Sequence, residues 1–381
     1  MAMADSDHLA DRHTRVRAVL REHELDGLIV THLPNIFYLS NFTGTAAILV
    51  LTARELVFIT DFRYFSSVEA SLSTPHGCPS ARLVRVQGSY EETLAAIIDG
   101  LDASRIGFEA AHLSVARYEW LCVTLGTTRG NEKLTPTDRF VERLRLVKDA
   151  AEIATIRQAA GMLSEVAVEM LREVRAGQSE RDVATTIDWK MKRAGFDRPA
   201  FETIVASGPN AALPHARPGS RVLSPGDLVV LDFGGAHDGY CVDLTRTISI
   251  GDPDGEARRV HAAVADAAVA AIGAVRPGIR ASAIDAAARD SLARRALADA
   301  FGHGTGHGLG IEVHEEPRIG PARASSGPSS LDETIAPGMV FTIEPGAYVP
   351  GWGGVRIEDD VLVTEDGREV LTSVSRELVV V

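Results

Sequence analysis

One stretch, Phe301–His314 (FGHGTGHGLGIEVH), constrains this chain more than any other. Glycine occupies every second position from 302 to 310, and a glycine inside a helix costs about 1 kcal/mol relative to alanine. The stretch is therefore expected to be extended or looped, with room for another group to approach its backbone. Three histidines, His303, His307 and His314, lie among these glycines. A glycine-rich loop with incidental histidines is the alternative, unless the rest of the chain supplies partners for the imidazoles.

Length and charge limit the classes of protein to consider. The 381 residues exceed the size at which one hydrophobic core stops growing, so two domains are expected. A net charge of −13 argues against nucleic-acid and anionic-membrane partners. Three widely separated cysteines favour a reducing compartment over a disulfide framework. Because the polar N-terminus lacks the apolar core of a signal peptide and no run approaches the ~18 apolar residues of a membrane span, a cytoplasmic protein is predicted.

The first part of the chain alternates short apolar runs with helical patterns, which predicts an α/β domain. Predicted strands cover residues 25–32, 46–51, 55–60, 82–86 and 105–110, and predicted helices cover 8–24, 61–72, 90–98 and 114–125. No cluster of reactive side chains is evident there. Asp149 can cap a long helix that follows, with Glu152 at its third position. The boundary is therefore placed near residue 145, between domains spanning residues 1–145 and 146–381.

The second part predicts a mostly antiparallel sheet with helices before and after its middle. Two predicted helices end at Gly177 and Gly195, and two more cover residues 256–275 and 282–299. Predicted strands cover residues 201–208, 339–349 and 355–364, and two further strands divide residues 227–250 between them. This arrangement hints at an internal duplication, although no residue-level repeat is evident.

Four acidic residues interrupt the apolar runs of this second part: Asp232, Asp243, Glu344 and Glu358. Across the predicted hairpin, Asp232 and Asp243 can point from neighbouring strands into one pocket. A buried, unpaired carboxylate is very costly, so such acids are normally paired or bound to metal. A salt bridge or a cap explains any one of them alone. Together with an imidazole they indicate two divalent cations, with oxygen-rich ligation favouring Mn²⁺-like ions held about 3.5–4 Å apart, as in two-metal hydrolytic sites.

Other reactive motifs are absent from the sequence. The HExxH pattern of zincins fails, because no glutamate follows His303 and His314 begins HEEPR. The glycines never fall as GxGxxG, so there is no dinucleotide fingerprint. Neither a GxSxG elbow nor a P-loop occurs.

Five segments resemble the pita-bread metallopeptidases, a family that contains Xaa-Pro aminopeptidase (aminopeptidase P), prolidase and methionine aminopeptidase. They are RLRLVKDAAEI, FETIVASGPNAALPH, LVVLDFGGAHDGYCVDLTRT, GHGTGHGLGIEVHEEPRI and PGMVFTIEPGAYVPGWGGVRIEDDVLVT. The resemblance implies an α+β pita-bread catalytic domain, in which helices flank a mostly antiparallel curved sheet. It also implies the α/β N-terminal domain found in aminopeptidase P, prolidase and creatinase, and a homodimer.

The resemblance further implies roles for particular residues. It places ligands to two divalent metal ions, Mn²⁺ first and Co²⁺ or Zn²⁺ as alternatives, at Asp232, Asp243, His307, Glu344 and Glu358. His215 and His314 match substrate-facing histidines, and His303 and Arg356 match further positions beside the metals. Glu344 is expected to take a proton from the attacking water and deliver it to the leaving imino nitrogen. The metals, His215 and His314 are expected to stabilise charge on the carbonyl oxygen.

The implied reaction is hydrolysis of the bond before proline in proline-containing peptides. A dipeptidase must hold the free carboxylate of its product proline, commonly through arginine, and Arg318 matches that position in some microbial prolidases. The loop 322–333 looks longer than usual and lacks the arginine that other prolidases carry nearer Glu344. We therefore expect an Xaa-Pro aminopeptidase, with an Xaa-Pro dipeptidase as the alternative.

Two remoter alternatives share the fold. A creatinase-like amidinohydrolase and a catalytically inactive binding module would both have lost the metal ligands, whereas this chain carries matching residues at all five positions. Bound or activating Mn²⁺, Co²⁺ or Zn²⁺ would distinguish a peptidase from both.

Overall fold

The structure is a computed structural model, and it describes residues 4–126, 133–322 and 332–381. The chain divides into two compact units, Met1–Arg145 and Leu146–Val381. Each unit contains its own hydrophobic core. No helix within the described ranges is both long enough and apolar enough to span a membrane.

The first unit is an α/β domain built on one six-stranded mixed sheet of order β4-β3-β2-β1-β5-β6. Its elements are α1 (Ser6–Glu22), β1 (Gly27–Val30), α2 (Leu33–Ser40), β2 (Ile48–Thr52), β3 (Leu56–Thr60), α3 (Phe62–Ser71), β4 (Ala81–Arg85), α4 (Tyr90–Asp99), β5 (Ile106–Glu109), α5 (Val115–Thr124), β6 (Leu134–Thr137) and α6 (Phe140–Arg145). Strand β2 pairs antiparallel with both β1 and β3. The parallel pairs are β3 with β4, β1 with β5, and β5 with β6. The predicted α/β class is confirmed.

Three elements of this unit, α2, β6 and α6, were missed from the sequence. Helix α2 is buried at every position from Asn35 to Ser40, so it lacks the one-sided apolar period by which a surface helix is detected. Strand β6 contains Pro136, which argues against a strand in a sequence. The structure tolerates this proline because β6 lies at the edge of the sheet, where one side needs no ladder partner.

The second unit combines helices with mostly antiparallel sheets. Its elements are α7 (Ala150–Glu173), α8 (Glu180–Ala194), β7 (Arg198–Pro199), β8 (Ile204–Ser207), β9 (Leu228–His237), β10 (Tyr240–Ser249), α9 (Gly255–Ala274), α10 (Ala281–Arg294), β11 (Gly306–Gly308), β12 (Glu315–Ile319), β13 (Val340–Ile343), β14 (Gly346–Val349), β15 (Gly353–Arg356), β16 (Asp359–Val363), β17 (Arg368–Val370) and β18 (Val379–Val380). Asp149 and Glu152 form the predicted capping box at the start of α7. The predicted α+β class is confirmed.

The described residues of this unit form three sheets. Strand β9 is central to the first sheet, because it pairs antiparallel with β7, β8 and β10. The second sheet has the order β12-β11-β13-β16-β17, and β14 pairs with β15 alone. Helix α9 packs into the core through fully buried small residues spaced four apart, Ala263, Ala267 and Ala271, which lie on one helix face.

Two predicted strands are in fact broken. Residues 339–349 form β13 and β14, and residues 355–364 form β15 and β16, so the prediction of a single strand in each was wrong. Pro345 lacks the N–H that would continue a ladder beyond β13. In the second segment, the N–H of Ile357 donates to the Pro345 carbonyl at 3.3 Å instead of taking part in the regular ladder. Strands β13 and β16 therefore pair in one sheet, while β14 and β15 pair in another.

Candidate metal centre

Asp232 and Asp243 lie on one face of the β9–β10 hairpin. In this antiparallel pair Asp232 stands opposite Thr245, and Asp243 stands opposite Gly234. Side chains alternate between faces with a period of two, so Asp243 and Thr245 share a face. Directly opposed residues also share a face, which adds Asp232 to the same side. Both carboxylates are buried.

Glu344 and Glu358 lie in the two strand breaks. Glu344 follows β13, and its N–H donates to the Thr305 carbonyl at 2.7 Å. Glu358 precedes β16 instead of lying inside a strand as the sequence analysis expected, and it forms an isolated bridge with Thr245. Its side chain also accepts a 2.6 Å hydrogen bond from the Thr245 hydroxyl. Because both glutamates lie outside regular strands, the alternation of side chains along a strand does not fix their directions. These local hydrogen bonds orient them instead.

His307 is the central residue of β11, which runs between β12 and β13. A Cβ on Gly306 would lie 1.8 Å from the Thr342 carbonyl oxygen, and one on Gly308 would lie 2.1 Å from the Glu316 carbonyl oxygen. These glycines are therefore required by the backbones of neighbouring strands. Nδ1 of His307 lies 3.1 Å from the carbonyl oxygen of Gly308, a contact that leaves Nε2 available as a ligand atom.

The five residues implied as metal ligands come together. Asp243, His307 and Glu358 each offer a ligand atom, and the three atoms lie within 4.8 Å of one another. Oε1 of Glu344 is 3.7 Å from Nε2 of His307. Asp232 is close enough for its charge to raise the pKa of Glu358. Their role as ligands stays a prediction, but their convergence is a property of the fold.

The charges of this cluster fit divalent cations. Burial raises the pKa values of Asp243 and Glu344 well above the usual range, and the charge of Glu358 raises both further. Burial, with Asp232 beside it, raises the pKa of Glu358 to about 8. Among the described residues, none donates a hydrogen bond to the buried Oδ1 of Asp232 or of Asp243. Cations would supply both the missing counter-charge and partners for these lone pairs.

Three histidines, His303, His307 and His314, are held in the neutral form that binds metal or donates hydrogen bonds. Burial lowers the pKa of His303 and of His307 to about 4. Partial loss of solvation also lowers the pKa of His314, whose ring centroid is 4.2 Å from that of His307. His215 is exposed, and it lies close enough to contribute to lowering the pKa values of His303 and His314. Both predicted substrate-facing histidines, His215 and His314, are exposed beside this cluster.

Tyr348 links two of the predicted active-site residues, and the sequence analysis missed it. Nε2 of His303 is 2.9 Å from the Tyr348 hydroxyl, and Arg356 donates to the same oxygen at 2.9 Å. Arg356 also donates to the Asp232 carboxylate. Burial raises the pKa of Tyr348 to about 12, so the hydroxyl keeps its proton. A lone tyrosine after Glu344 carries no signal until the β14–β15 pairing brings it to these partners.

Arg318 stands directly opposite His307 in the β11–β12 pair. Opposed residues of antiparallel strands share a face, so the exposed guanidinium lies on the side of the sheet that carries the imidazole. Of the predicted loop 322–333, residues 323–331 lie outside the described residues.

A further polar network, also missed from the sequence, surrounds Glu358. Arg246 donates to the Asp359 side chain at 2.7 Å and to the Glu358 carbonyl at 2.5 Å. The carboxylate of Asp360 accepts the N–H of Asp243 at 3.0 Å. Three consecutive acids in an apolar run were a usable signal, because burial of such acids requires partners.

Comparison with known protein families matches both units. Residues 154–365 match metallopeptidase family M24, and residues 12–147 match the creatinase/prolidase N-terminal domain. The chain belongs to metallopeptidase family M24. It is therefore a hydrolase, and the resemblance drawn from its motifs is confirmed.

Similarity to other M24 proteins extends over nearly the whole chain. The sequence is 31% identical to the Xaa-Pro dipeptidase of Pyrococcus horikoshii, covering 98% of this chain and 100% of that protein. The solved Xaa-Pro dipeptidase from Bacillus anthracis superposes with a TM-score of 0.90 at 33% identity, covering 98% and 100%. The X-Pro aminopeptidase from Thermotoga maritima superposes with a TM-score of 0.85 at 31% identity, covering 97% and 100%.

Proposed function

We propose that this M24 metallopeptidase is an Xaa-Pro dipeptidase, which hydrolyses the bond before proline in dipeptides. This reverses the preference drawn from the sequence, where an aminopeptidase came first. Relatives that bear the name Xaa-Pro dipeptidase align with this chain over nearly their whole lengths. They support the alternative better than the first choice.

One structural observation supports the dipeptidase over the aminopeptidase. Arg318 stands opposite His307, so a guanidinium lies on the same face as a proposed metal ligand. In an Xaa-Pro dipeptide the free carboxylate of proline lies just beyond the bond to be cleaved, and guanidinium binds carboxylate with geometric specificity. A longer peptide presents a neutral amide at that position. The arginine that is missing nearer Glu344 therefore has a replacement on a different strand.

We assign two divalent cations to the five convergent residues, Asp232, Asp243, His307, Glu344 and Glu358. When bound, such ions polarise a carbonyl and lower the pKa of water. Mn²⁺ suits four carboxylates with one imidazole. Glu344, next to His307, is assigned as the base that takes a proton from the attacking water and carries it to the leaving imino nitrogen.

The remaining residues orient the substrate and hold the ligands. His314 is neutral near pH 7, because partial loss of solvation lowers its pKa, and as a donor it can stabilise charge on the carbonyl oxygen together with His215. His303, Tyr348 and Arg356 form the connected set that fixes Asp232.

A cytoplasmic location and a homodimer complete the proposal. The first rests on three buried cysteines that form no disulfide with one another, and the second rests on the family resemblance.

Hydrolysis of a dipeptide and of a longer peptide tests this function. We expect the Mn²⁺-loaded protein to cleave Ala-Pro with a higher kcat/KM than Ala-Pro-Ala-Ala, and faster cleavage of the tetrapeptide would contradict the proposal. Arg318→Ala should raise KM for Ala-Pro about 10–100-fold, the equivalent of losing one charged hydrogen bond. Ala-Pro amide, which lacks the carboxylate, is the matched control and should respond little. Arg318→Lys keeps the charge and should recover part of the loss.

A further inference from the structure

A second group of metal-binding side chains lies in the first unit, where the sequence analysis found no reactive cluster. His32 immediately precedes α2, His112 follows β5, and Glu142 is part of α6. One ligand atom from each lies within 4.8 Å of the other two. The three residues are far apart in the sequence, so only the fold reveals them as a group.

We propose that His32, His112 and Glu142 form a binding site for one divalent transition-metal ion of the Zn²⁺ type. Oε1 of Glu142 is 3.2 Å from Nε2 of His112 and 3.9 Å from Nδ1 of His32. Donor atoms around a tetrahedral ion with bonds of 2.0–2.1 Å stand roughly 3.3 Å apart. These two separations therefore need to change by less than about 1 Å to hold an ion.

Glu142 is held in place by a polar network of the same unit. Asn35 donates to Oε1 of Glu142 at 2.8 Å and to Glu109 at 2.7 Å. Arg145 donates to the side-chain oxygen of Asn35 at 2.6 Å, and this contact is buried. Carboxylate ligands of built metal sites are fixed by outer hydrogen bonds of this kind. An oxygen that accepts from Asn35 retains a second lone pair, which an ion can use.

The two imidazoles are stacked, which specifies the movement that binding requires. Their ring centroids are 3.6 Å apart and their planes differ by 7°. The lone pair of an imidazole nitrogen lies in the ring plane, so one ring must turn before both nitrogens face one ion. His112 is the ring that turns, because it lies in the loop between β5 and α5 and its side chain is 28% exposed, against 18% for His32.

The donor set distinguishes this site from the M24 centre. Two imidazoles and one carboxylate leave a fourth position open, an arrangement that Zn²⁺ accepts. The M24 centre offers four carboxylates and one imidazole, which suit Mn²⁺. An ordinary hydrogen-bonded His–Glu cluster is the competing explanation, and it would bind no ion.

Zinc stoichiometry of the full-length protein tests the proposal. Equilibrium dialysis against ZnCl₂ near neutral pH, followed by elemental analysis, compares the wild type with His112→Gln and Glu142→Gln. His8→Gln is the matched control, because His8 contacts Asp5 at 2.7 Å in a similar exposed pair and belongs to neither metal group. We expect the wild type and His8→Gln to bind one more Zn²⁺ per chain than the other two variants. Equal stoichiometry in all four proteins would overturn the site.

Two further measurements keep the test independent of folding. Glu142→Gln retains an oxygen that accepts from Asn35, so circular dichroism should show a folded protein with the charge removed. In crystals soaked with ZnCl₂, anomalous scattering at the zinc edge should give a peak between His32, His112 and Glu142, and its absence would overturn the proposal.

Discussion

Thr245 binds Glu358 twice. Its hydroxyl donates a 2.6 Å hydrogen bond to Oε2 of Glu358, and its carbonyl accepts the Glu358 N–H at 3.1 Å. Strand β10, which carries Asp243, therefore also orients a carboxylate that comes from the break before β16. Two proposed ligands, one on β10 and one in the break before β16, therefore depend on β10 for their relative position.

Removing the Thr245 hydroxyl should weaken metal binding without removing a ligand. Thr245→Val keeps the side-chain shape, and we expect the Mn²⁺ dissociation constant to rise about 10–100-fold, as for other outer partners of metal ligands. Isothermal titration of metal-free protein measures this constant. Thr245→Ser retains the hydroxyl and should bind as the wild type does. An unchanged constant for Thr245→Val would show that Glu358 needs no such support.

The buried Arg246–Asp359 pair should be much more important for stability than an exposed pair. Side chains of this pair are 5% and 1% exposed, so Arg246→Leu leaves a buried carboxylate with less compensation, which should cost about 3–5 kcal/mol. Arg157→Leu breaks a pair with Glu369 that is 47% and 39% exposed and should cost about 1 kcal/mol or less. Urea unfolding of both variants gives the comparison. Similar losses would contradict the assigned difference in burial.

Glu358 should make the stability of metal-free protein depend on pH. Burial and the charge of Asp232 raise its pKa from 4.5 to about 8, so the folded chain binds this proton more tightly than the unfolded chain. The contribution to the free energy of unfolding is complete below pH 4.5 and is lost as pH rises through about 8. We expect the urea midpoint in EDTA to fall between mildly acidic and alkaline pH. Glu358→Gln should show a smaller fall, and an equal fall would exclude Glu358 as its source.

Gly306 and Gly302 should respond differently to the same substitution. A methyl group on Gly306 would meet the Thr342 carbonyl oxygen at 1.8 Å, whereas one on Gly302 would meet no atom of the described residues within 4 Å. We expect Gly306→Ala to lower the free energy of unfolding by about 1–3 kcal/mol and to weaken metal binding through His307. Gly302→Ala is the control and should leave both quantities nearly unchanged. Thermal unfolding and metal titration measure them, and equal effects would argue against crowding at β11.

Asp243→Ala should separate function from folding. The side chain is buried, and its pKa is raised by burial and by the charges of Glu358 and Asp232, so its removal relieves repulsion in the metal-free protein. We expect peptidase activity to be lost while the urea midpoint in EDTA stays the same or rises. Activity assays with added Mn²⁺ and unfolding curves are measured on the same preparation. Retained activity would refute the ligand role of Asp243.

Much of the M24 centre could be predicted from sequence, because its donors have distinctive settings. Carboxylates such as Asp232 inside apolar runs are costly unless paired, and alternating glycines around His307 exclude a helix. Both signals depend only on neighbouring residues, so they can be recognised without knowledge of the fold. The class of each unit followed from strand and helix periods for the same reason.

Contacts between distant segments could not be predicted. Tyr348, Thr245 and Arg246 look ordinary along the chain, and only the strand breaks and pairings bring them to the proposed ligands. The stacked pair of His32 and His112 is a clearer example, because each is an isolated histidine in a segment without a recognisable motif.

The sequence by itself determined the kinds of element, the donor types and the family, because periodicity, residue chemistry and motif spacing are properties of neighbouring residues. The tertiary structure decided which strand faces carry the donors and why the glycines are needed. It also placed Arg318, a residue that the motif had singled out, directly opposite His307 in the β11–β12 register. Register, strand breaks and burial arise from segments that meet only after folding, and so no local pattern encodes them.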